Sequence, residues 1–108
     1  MNLTEFFSAQ GGPIAFNVDG LEGPLYTRLL SMDELSKLIA ANKDDGFGLT
    51  VKMLNACVVD VNGKPLKTVD EWRSVPAANR KTLEAIAREV QRINGLVGAE
   101  EVADAGKQ

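Results

Sequence analysis

Five apolar side chains, Leu83, Ile86, Ala87, Val90 and Ile93, recur at helical spacing through an otherwise charged segment that closes on Asn94-Gly95. The spacing puts all five on one stripe of a helix, and a glycine just past the last of them is the usual stop signal. Burying each of the larger side chains is worth roughly 1.5–3 kcal/mol, so this stripe anchors the core. The rest of the chain must therefore fold into a surface that covers it. In 108 residues there is room for one domain with a modest core. The helix is expected to begin near Ser74, with Pro76 tolerated in its first turn.

The segments that must do the covering read as a mixture of strand and helix. Residues 2–9 are expected to form a short helix capped by Asn2 or Thr4, with Leu3, Phe6 and Phe7 on one side, ended by Gly11-Gly12-Pro13. Ile14, Phe16 and Val18 alternate with Ala15 and Asn17. Asp19 to Gly23 is a turn, and Leu25 to Leu30 forms a return strand, so a β-hairpin is expected over residues 14–30.

Ser31-x-x-Glu34 is a capping box that opens a helix whose Met32, Leu35, Leu38 and Ile39 should face the hairpin. Asn42 to Gly46 ends it, and a further helix is expected over Leu49 to Cys57. Val58 to Val61 is ambiguous between helix end and strand. Asn62-Gly63 favours a type I′ turn, and Pro65 keeps any hairpin there short and at an edge. Thr68-x-x-Glu71 is a second capping box, carrying Trp72. The expected class is α+β: a small single domain over residues 1–97, with an N-terminal hairpin packed against three to four helices and a long C-terminal amphipathic helix. Residues 98–108, rich in Ala, Glu and Gly, are expected to form a flexible tail.

Composition narrows the chemistry. Twelve basic against fifteen acidic side chains give a net charge of −3, which argues against nucleic acid as a partner. Arg80, Lys81, Arg88 and Arg92 interleave with Glu84 and Glu89, and the order Glu84 then Arg88 favours an ion pair on a solvated helix face. No apolar run approaches the ~20 residues that span a bilayer, and the N-terminal segment lacks the basic start of a secretory signal. No membrane partner and a cytoplasmic location are the expectations.

There is no histidine, which removes the commonest general base and metal ligand. The lone Cys57 sits in an apolar run and reads as a buried small hydrophobe. Asp60-x-Asn62 with the later Glu71 faintly echoes a calcium loop, but Lys64 and Pro65 occupy positions where a ligand and a bending glycine belong. Gly20-x-x-Gly23 and Gly46-x-Gly48 lack the strand-to-helix setting of a phosphate loop. No enzyme activity, no metal and no cofactor are expected.

The order of the motifs carries more than any one of them. Tyr26-x-Arg28-x-Leu30 runs into Ser31 and Glu34. An apolar helix ends at Cys57, followed by Asp60, Gly63, Pro65 and Leu66, and the last helix closes on Asn94-Gly95-Leu96. In this order the chain resembles the small tail assembly chaperones of long-tailed bacteriophages and prophages, over roughly residues 3–96. The Gly11-Gly12-Pro13 and Gly46-Phe47-Gly48 stretches lie outside that pattern.

The resemblance implies a protein made during tail morphogenesis and left out of the finished virion. It would keep the tape measure protein soluble and help recruit major tail tube subunits around it, in the host cytoplasm. Phe6, Phe7, Leu96 and Val97 are the candidate partner-binding anchors, with capping of the core as their alternative role. The family often makes a longer product by a −1 ribosomal frameshift. Ala105-Gly106-Lys107 could be encoded GCG-GGA-AAG, which contains the slippery heptamer G-GGA-AAG. A structural tail or head–tail component, and a small bacterial adaptor or regulatory domain, are the competing readings. Self-association is a further expectation, because a small domain gains stability by burying an apolar face against its own copy.

Overall fold

The two capping boxes form as the sequence predicts. In the computed structural model, which describes residues 1–7 and 12–95, the Ser31 hydroxyl accepts the Glu34 N–H at 3.1 Å while the Glu34 carboxylate accepts the Ser31 N–H at 3.1 Å. Thr68 and Glu71 repeat the exchange at 3.1 and 3.0 Å. These boxes open α2 (Met32–Ala41) and α4 (Val69–Arg73). Ahead of them lie α1 (Leu3–Phe7), with Asn2 as its side-chain cap, then β1 (Ile14–Phe16) and β2 (Leu25–Thr27). The expected extension of α1 beyond Phe7 falls outside the described residues.

The hairpin is present, with Ala15 opposite Tyr26, but its second strand stops at Thr27 rather than Leu30. Arg28 to Leu30 is bound elsewhere, as described below. A third strand, β3 (Val58–Val59), resolves the ambiguous segment: it pairs with β2, Tyr26 against Val59 and Thr27 against Val58. The architecture is thus α+β, a three-stranded antiparallel sheet in the order β1-β2-β3 with five α-helices among the described residues.

One turn and one helix start differ from expectation for local reasons. The turn after β3 is not type I′, because Gly63 has positive φ (82°) and Asn62 does not. The Asp60 carboxylate accepts the N–H groups of Asn62 and Lys64 at 2.8 and 3.1 Å, and the Gly63 N–H reaches the Asp60 carbonyl. An Asp at the first position and a left-handed Gly at the fourth give a type I turn with a bulge. Pro65 then makes only an isolated bridge to Val59.

The second departure is α3 (Gly46–Cys57), which starts before Leu49 because Asp45 caps it, accepting the Gly48 N–H at 2.8 Å. A Cβ at position 48 would collide with that carboxylate, which accounts for a glycine in the first turn.

The last helix, α5 (Arg80–Ile93), also begins later than Ser74. Ser74 instead caps the end of α4, and Pro76 is extended (ψ 139°) and leads into a short 3-10 turn at Ala77–Asn79. Its stripe behaves as predicted: Leu83, Ile86, Ala87 and Val90 are buried. They share one core with Phe16 and Val18 of the hairpin region, Trp72 of α4, and Val51, Leu54 and Cys57 of α3. On the outer face Glu84 pairs with Arg80 at 3.6 Å and Glu89 with Arg92 at 2.7 Å, not Glu84 with Arg88.

With the hairpin's apolar side taken by that core, α2 packs chiefly on α3 rather than on the strands. Leu35 and Leu38 are half-buried, whereas Met32 and Ile39 are 75% and 47% exposed. No described helix is long and apolar enough to cross a membrane.

Candidate functional site

Of the residues that carry the motif order, Arg28, Leu30, Ser31, Glu34, Cys57 and Asn94 meet at one junction, while Asp60, Gly63, Pro65 and Leu66 form the separate turn after β3. Arg28 leaves the end of β2 half-buried, and its N–H donates to the Cys57 carbonyl at 2.9 Å. Its Nε donates to the Ala56 carbonyl at 2.6 Å, in the last turn of α3, where a cation is favoured by the helix dipole. The two terminal nitrogens hold both oxygens of Glu34, at 2.7 and 3.3 Å. Asn94, at the end of α5, closes the junction from the far side. Its Oδ1 accepts the Leu30 N–H at 2.7 Å, and its Nδ2 donates to the Val90 and Arg28 carbonyls at 2.9 and 3.4 Å. Leu30, Ser31, Glu34, Cys57 and Asn94 therefore tie β2, α2, α3 and α5 together. Each does structural work.

The charges follow from this geometry. The Arg28 hydrogen bonds, helped by the Ser31 N–H, hold the Glu34 carboxyl down at about 2, from an ordinary value of 4.5. Burial pushes the Cys57 thiol up to about 11, so it is a poor nucleophile. Because the folded value for Glu34 is depressed, its contribution is complete above the ordinary carboxyl value and is lost as pH falls from there toward 2. Both partners are more than one-third exposed, which limits the contribution to ~1 kcal/mol or less. Glu34→Gln keeps a capping-box side chain and removes the charge. The variant should be less stable than wild type at pH 7, with the gap closing as pH falls through that window. Urea titrations at pH 7 and pH 2.5 read this, and a gap independent of pH sinks the assignment.

Of the four candidate anchors, Leu96 and Val97 lie outside the described residues, as do the proposed tail and the Ala105-Gly106-Lys107 segment. Phe6 and Phe7 sit on α1, 64% and 82% exposed, with ring centroids 5.1 Å apart, edge to face. With Leu3 at 75% exposure they form an apolar knob rather than a cap on the core.

A second apolar feature was not singled out by the sequence. Leu21 and Leu25 of the hairpin, Leu66 after the β3 turn, Trp72 of α4 and Leu83 and Ile86 of α5 line a cleft of about 540 Å³. The Lys67–Glu71 ion pair, 3.5 Å apart, flanks it. The Trp72 indole N–H is buried without a hydrogen-bond partner. These residues are scattered between positions 21 and 86, so no local pattern marks them. The capping box ahead of Trp72 was the one hint.

Among the described residues no three His, Cys, Asp or Glu side chains converge to hold a metal ion. What the surface offers is apolar contact: an aromatic knob, a cleft and the outer side of α2. The class this defines is a small α+β domain with apolar contact surfaces. The chain matches no protein-family model, no curated protein and no solved structure.

Proposed function

We propose that this protein is a non-catalytic assembly chaperone of long-tailed phages, holding the tape measure protein soluble and helping to bring tail tube subunits to it. The observation that carries this reading is the exposed Phe6–Phe7 pair on a chain of net charge −3. A tape measure protein is a long, helical, aggregation-prone chain. A chaperone for it needs apolar anchors that stay accessible and a charged body that keeps the complex in solution. The resemblance carried by the motif order supports the same reading, and Arg28, Glu34, Cys57 and Asn94 within it join elements of the fold.

Co-expression with the tape measure protein encoded in the same gene cluster tests this. Wild-type protein should yield a soluble complex that co-purifies. Phe6→Ser/Phe7→Ser should reduce the recovered complex at least ~10-fold, as loss of aromatic anchors does at interfaces. Its thermal midpoint should stay near that of wild type, since both rings are exposed. Failure of the wild-type chain to solubilise the partner, with the frameshifted long form also supplied, removes the proposal. The structural and adaptor readings then come to the front.

A further inference from the structure

The cleft beside Trp72 joins a space of ligand size to a hydrogen-bond donor that the fold leaves unused. Its volume of about 540 Å³ falls in the range of small-molecule sites. Leu21, Leu25, Leu66, Leu83 and Ile86 make most of its apolar lining. Trp72, in the same wall, is 7% exposed, and its indole N–H is buried with no partner. Buried donors almost always have partners, and one left unpaired is costly. The wall's other uncharged polar side chains, Ser74, Asn79 and Thr82, are exposed or half-buried, where water can serve them. Its charged residues are Lys67 and Glu71, which pair with each other at 3.5 Å.

We propose that this cleft binds a small uncharged molecule, largely hydrocarbon, whose carbonyl-type acceptor takes the Trp72 N–H. Each part of that description answers a feature of the wall. The leucines and Ile86 favour an apolar body. The Lys67–Glu71 pair spends its charges on itself, so an ionised ligand would give up its hydration and find no free counter-charge. The unpartnered N–H calls for an acceptor, which a plain hydrocarbon lacks. That N–H is closed to water in the unliganded chain, so the acceptor reaches it only when a wall side chain shifts. Leu21 and Leu66, 41% and 40% exposed, are the wall leucines held least tightly. This inference does not rest on the chaperone reading, which is carried by α1, and either can fail without the other.

Three probes of similar shape test it on the full chain: acetophenone, isopropylbenzene and benzoate. Trp72 is the only tryptophan, so its indole N–H gives a single signal in a nitrogen–proton correlation spectrum. Acetophenone should bind with a Kd of about 1 mM, as expected for so few atoms. It should shift the methyl signals of Leu21, Leu66 and Ile86, and should move the indole proton further downfield than isopropylbenzene does. Benzoate should bind at least about 10-fold more weakly than acetophenone.

Trp72→Phe keeps an aromatic ring and removes the donor. It should weaken acetophenone about 5-fold relative to isopropylbenzene, the size of one net hydrogen bond. Leu66→Asp, at a half-exposed position, keeps the proposal testable if Trp72→Phe does not fold, and should weaken both neutral probes about 10-fold. Circular dichroism confirms that each variant is folded. Acetophenone that leaves the cleft methyls unmoved, an indole proton that responds alike to acetophenone and isopropylbenzene, or benzoate bound as well as acetophenone overturns the proposal.

Discussion

Leu54→Ala is expected to remove about 3–5 kcal/mol of unfolding free energy, the largest effect of any single truncation in this chain. Leu54 has no solvent exposure and is the largest such side chain among the described residues. It lies on α3, whose buried positions Val51, Met53, Leu54 and Cys57 share a core with the stripe of α5, Trp72 and Phe16. Removing it deletes apolar transfer free energy and leaves a cavity. The surroundings cannot collapse into that cavity easily, because α3 is held at both ends. The Asp45 cap holds its start, and Arg28 holds its last carbonyls.

A domain of this size commonly has ~5–10 kcal/mol in all, and each kilocalorie moves the melting point by roughly 4–8 °C. A drop of about 15 °C or more is expected in a thermal melt, with the urea m-value unchanged. Met32→Ala, on an exposed position, should change stability by less than ~0.5 kcal/mol. A Leu54→Ala loss below about 1.5 kcal/mol contradicts a core closed around α3.

What could be read from the sequence divides by the distance over which each choice is made. Ser31 with Glu34 and Thr68 with Glu71 satisfy each other within one turn, so their boxes are visible to inspection. The α5 stripe is visible because a period is a local property. Val58–Val59 was ambiguous because its partner is β2, more than 30 residues earlier, and only that pairing makes it a strand. The Asn62-Gly63 signal was real but outcompeted. The Asp60 carboxylate two residues before it organises the turn around type I geometry.

Met32 and Ile39 follow helical periodicity, yet periodicity gives a face without saying what covers it. The hairpin was already occupied by α3 and α5. Phe6 and Phe7 were recognisable as candidates from residue type, and their exposure is what turns them into a knob. The cleft around Trp72 was hinted at only by the capping box ahead of that residue, since its walls come from separate parts of the chain.

Asn94→Ala is expected to cost about 2 kcal/mol, more than any other single change to a side chain that is not part of the apolar core. The residue acts across 64 and 66 positions of sequence, accepting from the Leu30 N–H and donating to the Arg28 carbonyl, while holding the Val90 carbonyl of its own helix. Truncation strands a partly buried backbone donor whose 2.7 Å bond is the shortest of the three, and an unsatisfied buried donor costs roughly 1–3 kcal/mol.

Asn94→Asp separates the roles. A carboxylate still accepts the Leu30 N–H, but it cannot donate to either carbonyl, and it places negative charge at a helix C-terminus where the dipole opposes it. It should therefore destabilise too, while preserving the Leu30 bond. Amide hydrogen exchange resolves the two variants residue by residue. Leu30 should lose protection in Asn94→Ala and retain much of it in Asn94→Asp, with the α3 amides following global stability in both. If Leu30 exchanges alike in wild type and Asn94→Ala, the α5 end does not fasten the β2–α2 connection, and the junction rests on Arg28 and Glu34 alone.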